Sequence, residues 1–368
     1  MNSDRSRHAN AHAADSREDR LAGCLLGTAV GDAIGLPREG MSPHRAIRLF
    51  GEAPLGHRFL AGRGMASDDT EHACMVAASL LASHGQPRRF ARSLAWRLRF
   101  WLAALPAGVG LATARAICKL WLGFPPSHSG VRSAGNGPAM RSPLIGVWAG
   151  GDMPRLRELV EASTRLTHTD VRAVEGAVAV ALCCHYGTTR TAAEVDATEV
   201  FELLQREVTD AELLQALSAT RSAVDRAIGP EEFVRDMGFQ KGVSGYIVHT
   251  LSAALFCWLR HPGDFRAGIE EVVQMGGDAD TTGAITGALC GATVGRRGIP
   301  AEWVKGLWEW PRTVAYMDRL AEALSESSPG GQGTNRVPRW FWPGVLPRNL
   351  LFLLVVLLHG LRRLFPPY

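Results

Sequence analysis

Two segments of this chain carry glycine at every fourth position. In GCLLGTAVGDAIG the glycines are Gly23, Gly27, Gly31 and Gly35; in GAITGALCGATVG they are Gly283, Gly287, Gly291 and Gly295. A step of four lines each set along one ridge of a helix. A glycine inside a helix costs about 1 kcal/mol relative to alanine, so eight cost roughly 8 kcal/mol, comparable with a whole domain's net stability. Close backbone-to-backbone helix packing is the obvious offset. The two helices are therefore expected to pack together at the centre of the domain. Asp32 interrupts the first ladder, and Asp280 and Arg296 flank the second, which argues against a membrane-embedded pair.

From Leu21 to Leu324 apolar helical patterns recur at about 20–36, 69–84, 88–104, 110–121, 154–163, 171–186, 198–205, 210–227, 245–259, 264–274, 280–294 and 312–324, with no sustained alternation of the β kind. The fold class expected is all-α. Residues 1–19 are polar and read as a disordered leader, 20–324 as the domain, 325–338 as a Ser/Gly/Pro linker, and 339–368 as a separate hydrophobic, basic tail. A hydrophobic share of 46% and a charged share of 21% exclude a wholly disordered chain and a polytopic membrane protein. The net charge is +4, but the last 38 residues hold five arginines and no acid. The body is thus close to neutral, and no nucleic-acid partner is expected. Seven cysteines, an odd number with no C-x-x-C, read as free thiols of a reducing cytoplasm.

Acidic residues cluster at two helix entrances. Ser67-Asp68-Asp69-Thr70-Glu71 precedes an apolar run. Alone it reads as a cap, because acids belong in a first turn. Gly276-Gly277-Asp278-Ala279-Asp280-Thr281 repeats the arrangement before the second ladder. Two such turns, rich in hard oxygen donors and with no Cys or His ligand set nearby, point to Mg²⁺, Mn²⁺ or Ca²⁺ rather than zinc. Four aspartates at one point would repel without cations, which favours two divalent ions. If the ladders run antiparallel, Glu39 arrives beside Asp278 and Asp280; alone it reads equally as a solvated loop acid. Asp32 reads equally well as a buried structural acid. Ser133-Ala134-Gly135-Asn136-Gly137 is a Gly-rich loop whose amides could cradle phosphate, with Arg141 as its partner. His168 at a helix entry and Tyr246 before an apolar helix carry little information by themselves.

Taken together, GCLLGTAVGDAIGLPRE, SDDTE, SAGNGPAMR, LTHTD, KGVSGYIVHT and GGDADTTGAITGALCGATVG resemble the ADP-ribosylglycohydrolase family, most of all its bacterial dinitrogenase reductase-activating glycohydrolase-like branch. The resemblance covers about residues 20–324. It implies a compact multi-helix orthogonal bundle with a central dinuclear Mg²⁺ or Mn²⁺ cleft. It implies metal ligation by Ser67, Asp68, Asp69, Asp278, Asp280 and Thr281, and catalysis by Glu39 with Asp69. It further implies substrate contacts from Ser133, Gly135, Asn136, Gly137, His168 and Tyr246. Ser67 stands where threonine is commoner in the family. Ser133 replaces an aspartate of the nitrogenase-reactivating branch, which leaves serine-linked ADP-ribose beside the favoured arginine linkage.

The activity implied is hydrolysis of ADP-ribose from modified protein side chains by a monomeric cytoplasmic enzyme. Two other readings stay open: a non-catalytic ADP-ribose binder, and a dinuclear-metal hydrolase of another ADP-ribose-containing metabolite. In the tail, Leu350 to Leu358 form an apolar run of nine residues, about 14 Å as a helix and half a bilayer core. Trp340, Trp342, Arg362 and Arg363 around it suit an interfacial lipid anchor; docking on the domain or on a partner protein is the alternative.

Overall fold

The two glycine-ladder helices, Asn2–Gly35 and Ala279–Val294, lie antiparallel against each other. Gly23 faces Gly291 and Gly295, Gly27 faces Gly287, Gly31 faces Gly283, and Gly35 faces Ala279. A Cβ on Gly27 or Gly31 would overlap the carbonyl oxygen of Gly287 or Gly283. The backbones thus touch directly, and dispersion over the whole ridge offsets the helix-propensity deficit. This computed structural model describes the backbone of residues 2–331 and 336–366, with side chains from residue 17 onward in those ranges. Most of the leader expected over 1–19, and 332–335 of the expected linker, lie outside the described side chains.

The described residues form seventeen α-helices and short 3-10 turns, with isolated β-bridges and no strand. Helices Asp68–Ser83, Val171–Thr188, Ile247–Arg260, Phe265–Gln274 and Val314–Ser325 pack around the central pair. Their apolar faces form one core that includes Leu25, Val30, Val76, Trp148, Trp258 and Leu289. Six of the seven cysteines are buried and all are free; Cys118 is exposed.

Four helices fall outside the expected windows: Pro43–Phe50, Pro143–Ala149, Pro230–Asp236 and Ala301–Gly306. Three begin with proline at the first helical position, where its missing N–H has no partner to lose. The tail also differs from expectation. Its helix is Val345–Arg362, eighteen residues and twice the apolar run. Pro347 falls in its first turn, and Arg348 is neutralised by Glu309, so neither ends it. By length and composition the stretch Trp342–Arg362 is sufficient to cross a membrane, yet 33% of its apolar window is buried in the protein.

The antiparallel crossing decides where the chemistry gathers. The C-terminal end of the first helix leads into Leu36–Arg38 and Glu39, beside the Asp278–Asp280 entrance of the second.

Candidate active site

Short backbone bridges knit the loops at this end of the bundle. Gly40 N–H donates to Gly277 O and Gly277 N–H to Met41 O, each at 2.7 Å. Asp278 N–H donates to Val243 O at 2.7 Å, and Asn136 N–H to Gly245 O at 2.9 Å. Gly277 has φ +77°, and a Cβ there would overlap Val243 O, so glycine is required twice over. The loops enclose a cleft of ≈ 700 Å³. Its floor carries Glu39, Asp68, Asp278, Asp280 and Thr281, and its wall Ser133, Gly135, Asn136, Gly137 and His168.

The first carboxylate turn is fixed from beneath. Asp32 is fully buried on the first ladder helix. Its carboxylate accepts from Ser67 N at 2.9 Å, Thr70 N at 3.2 Å and Thr70 Oγ1 at 2.6 Å. Asp32 thus caps the Asp68–Ser83 helix from a neighbouring element. Burial outweighs those hydrogen bonds and raises its pKa to about 7. Ser67 Oγ accepts from Asp69 N at 3.3 Å and donates to Asp69 Oδ2 at 3.0 Å. Thr281 Oγ1 donates to the same oxygen at 3.2 Å, which ties the two acidic turns together. Asp69 Oδ1, on the other side of that carboxylate, is buried without a hydrogen-bond partner.

Glu71 does not close a capping box. Trp101 Nε1 donates to it at 2.6 Å, and Arg312 pairs with it in the interior. Burial raises its pKa, but Arg312, Arg348 and Trp101 outweigh that and hold it below the ordinary value.

Carboxylate oxygens of Glu39, Asp278 and Asp280 lie within 4.8 Å of one another. Burial raises the pKa of Asp69 and Asp280 well above the ordinary carboxylate value, with neighbouring acids adding. Asp68 moves the same way, by burial and then by Asp32 and Glu71. Burial raises Asp278, opposed by the Asn136 amide, whose Nδ2 donates to Asp278 Oδ2 at 2.5 Å. Glu39 is raised by loss of water and by Asp278, with Arg363 opposing. Repelling oxygens around an orphaned buried carboxylate oxygen, all hard donors, fit divalent cations.

The wall is shaped by His168. A Cβ on Gly135 would lie 3.2 Å from His168 Nε2, and one on Gly137 3.3 Å from His168 Cε1. Burial lowers the His168 pKa to about 3, with Arg141 adding, so the ring is neutral. Its Nδ1 pairs with Thr167 Oγ1 at 2.9 Å. The expected amide cradle is partly engaged already: Gly135 N donates to Ser133 Oγ at 3.2 Å, and Asn136 N to Gly245 O. Arg141 is not available to a phosphate. It is fully buried and donates to Ser163 O at 3.1 Å and Thr167 Oγ1 at 2.7 Å. Tyr246 is half-buried and not among the residues lining the cleft; its hydroxyl accepts from Arg172 Nη1 at 2.7 Å. Lys241, which opens the KGVSGYIVHT segment and had no role assigned from the sequence, is the one lysine or arginine among the described lining residues.

The ADP-ribosylglycohydrolase family model matches residues 13–332. An uncharacterised protein of Archaeoglobus fulgidus is 31% identical, over 84% of this chain and 97% of its own length. The ADP-ribosyl-[dinitrogen reductase] glycohydrolase of Rhodospirillum rubrum is 29% identical, over 79% of this chain and 91% of its own. A solved structure described as an ADP-ribosylglycohydrolase-related protein complex superposes with a TM-score of 0.62 at 28% identity, covering 84% of this chain and 98% of that one. The chain, with its glycine-laddered helical bundle and carboxylate-floored cleft, belongs to the ADP-ribosylglycohydrolase family, whose members are hydrolases of glycosidic bonds.

Proposed function

We propose that this enzyme releases ADP-ribose from modified protein side chains, with arginine-linked substrates favoured over serine-linked ones. The observation that carries the reading is the convergence of two acidic turns, Ser67–Asp69 and Asp278–Thr281, with Glu39 on the floor of one cleft. Ser67, Asp68, Asp69, Asp278, Asp280 and Thr281 would hold two Mg²⁺ or Mn²⁺ ions. Bound there, such cations supply Lewis-acid polarisation and lower the pKa of water.

The chain's own residues do the rest. The reaction breaks the bond at the anomeric carbon, and positive charge grows on the sugar in the transition state. Glu39, the floor carboxylate not committed to the ions, is the group left to stabilise that charge. Glu39, with its raised pKa, takes a proton from water or passes it to the leaving group, and Asp69, fully buried beneath the floor, would be the second acid for that role. Neutral His168 and Asn136 would contact the ribose, and Lys241, the cation of the lining, would pair with the diphosphate. Gly135 and Gly137, without side chains, let the His168 ring pack close against the loop.

Glu39→Gln is expected to retain Mn²⁺ and ADP-ribose binding while kcat falls by about 10²-fold or more. Titration calorimetry beside turnover checks this. Undiminished kcat in Glu39→Gln removes Glu39 from the mechanism.

We also infer a cytoplasmic monomer whose C-terminal helix rests on an anionic lipid surface. Leu350, Leu354, Leu357 and Leu361 are exposed along one stripe, with Phe341 and Trp342 at one end and Phe365 at the other. Arg362 is exposed beside Phe365, and no acid lies on the helix. The full-length Leu354→Glu/Leu358→Glu variant is expected to lose co-sedimentation with phosphatidylglycerol vesicles. Equal sedimentation of variant and unsubstituted chain contradicts the lipid contact.

A further inference from the structure

We infer that the C-terminal helix Val345–Arg362 braces the catalytic centre, with Arg348 positioning the first carboxylate turn and Arg363 positioning the Glu39 loop. The helix lies beyond residue 332, where the family match ends. The meaning of the braced site rests on the hydrolase reading above; the contacts themselves do not.

One face of the helix, Val345, Arg348, Asn349, Phe352 and Val355, is buried. The Arg348 side chain is 4% exposed. Its Nε donates to Glu309 Oε1 at 2.9 Å and its Nη2 to Glu309 Oε2 at 2.8 Å, a bidentate fork. The same Nη2 donates to Ala66 O, and Ala66 N donates to Glu309 Oε2 at 3.0 Å. The Arg348–Glu309 pair therefore holds both backbone groups of the residue just before Ser67. Arg348 Nη1 also lies 3.8 Å from Glu71 Oε1, one turn further along the acidic helix.

The rest of the buried face reaches other parts of the cleft. Asn349 Nδ2 donates to Ala104 O at 2.8 Å, at the root of the loop that brings Gly108 and Gly110 to the lining. Phe352 and Val355 pack with Leu36, Phe59 and Met65. Leu36 leads to Glu39, and Met65 leads to Ala66. At the far end, Arg363 Nη2 donates to Pro37 O at 3.2 Å, two residues before Glu39. Arg45 donates in turn to Arg363 O.

Residues 36–40 and 64–67 lie between α-helices and are tied to the rest of the protein by isolated backbone bridges, Gly40 to Gly277 and Gly64 to Gly306 and Trp308. Metal ligands must sit within about 0.5 Å of productive geometry, which asks for a rigid supporting layer. A single helix pinned at both ends supplies that layer to both segments. Its opposite face, apolar and exposed, is where a bound surface would act on the brace.

The test uses full-length Arg348→Met and Arg363→Met, with Leu353→Ala on the exposed face as the control. Amide hydrogen exchange is read at residues 64–70 and 36–41, and Mn²⁺ affinity by titration. Arg348→Met should lose protection at 64–70 and bind Mn²⁺ about 10–100-fold more weakly, while Arg363→Met loosens 36–41 with Mn²⁺ affinity within about threefold. Arg348→Lys should recover part of the affinity, since an ammonium still pairs with Glu309 but cannot fork. Should Arg348→Met not fold, Arg363→Met at its half-buried position still carries the test through exchange at 36–41. Wild-type exchange at both segments, with wild-type Mn²⁺ affinity, overturns the brace. ADP-ribose release by the unsubstituted chain is read separately. Loosened segments in the variants, with no release by the unsubstituted chain, would keep the brace and remove the hydrolase reading.

Discussion

Asp278→Ala is expected to lower ADP-ribose release by about 10³-fold, equivalent to about 4 kcal/mol of transition-state stabilisation. Asp278 stands at the junction of both halves of the site. Its carboxylate lies with those of Glu39 and Asp280, and it accepts the Asn136 amide. Asn136 keeps one of its two N–H bonds, to Thr250 Oγ1 at 3.0 Å, and only the other loses its acceptor, at the wall of the cleft.

The same substitution should act oppositely on stability without metal. Burial raises the pKa values of Asp69, Asp278 and Asp280, so the folded state binds protons more tightly than the unfolded chain. Stability of the metal-free protein therefore falls as pH rises above about 4, where unfolded carboxyls ionise. Removing one carboxylate relieves that term. In EDTA at neutral pH, Asp278→Ala should melt at or above the unsubstituted chain. With Mn²⁺ at a hundred times its dissociation constant, the unsubstituted chain should gain about 2.7 kcal/mol and the variant little. Thermal melts in EDTA and in Mn²⁺ check both signs. A variant that melts lower in EDTA and gains equally from Mn²⁺ would exclude Asp278 as a ligand.

Gly31→Val carries the largest expected effect on folding. A Cβ at Gly31 would overlap the carbonyl oxygen and carbon of Gly283, and neither backbone can withdraw without opening the ladder at Gly27 and Gly35. The loss expected is about 3 kcal/mol or more, the upper range for overpacking. Gly360→Ala is the counterpart, because nothing lies within 4 Å of a Cβ there. It should be neutral or stabilise by about 0.5–1 kcal/mol through helix propensity. Urea unfolding followed by circular dichroism separates the two. Equal midpoints for Gly31→Val and the unsubstituted chain would mean that the ladders do not hold the fold.

The ladders were legible in the sequence because their period is their function: a helix ridge of glycine serves close approach and little else. The acidic turns were legible as carboxylates repeated at two helix entrances. Asp32 was legible as a buried acid but not as a cap, because its partners Ser67 and Thr70 come from another helix. Arg141 invited a phosphate role by position; only tertiary packing reveals Ser163 and Thr167 around it. The Pro43, Pro143 and Pro230 helices carried a start signal that apolar periodicity alone does not weigh. The tail hid most. Arg348 stands in the sequence as a charge two residues ahead of the Leu350–Leu358 run; only Glu309 and Ala66, close to it in the fold, make it part of the interior.

Free ADP-ribose released from arginine-modified and serine-modified protein, measured with Mg²⁺, Mn²⁺ or EDTA beside Asp278→Ala, decides whether the cleft is a metal-dependent hydrolase site. Release is expected to depend on metal, to be faster from the arginine-linked substrate, and to be lost in EDTA and in the variant. Release that survives EDTA and Asp278→Ala, or none from either substrate while ADP-ribose still binds, would contradict this expectation.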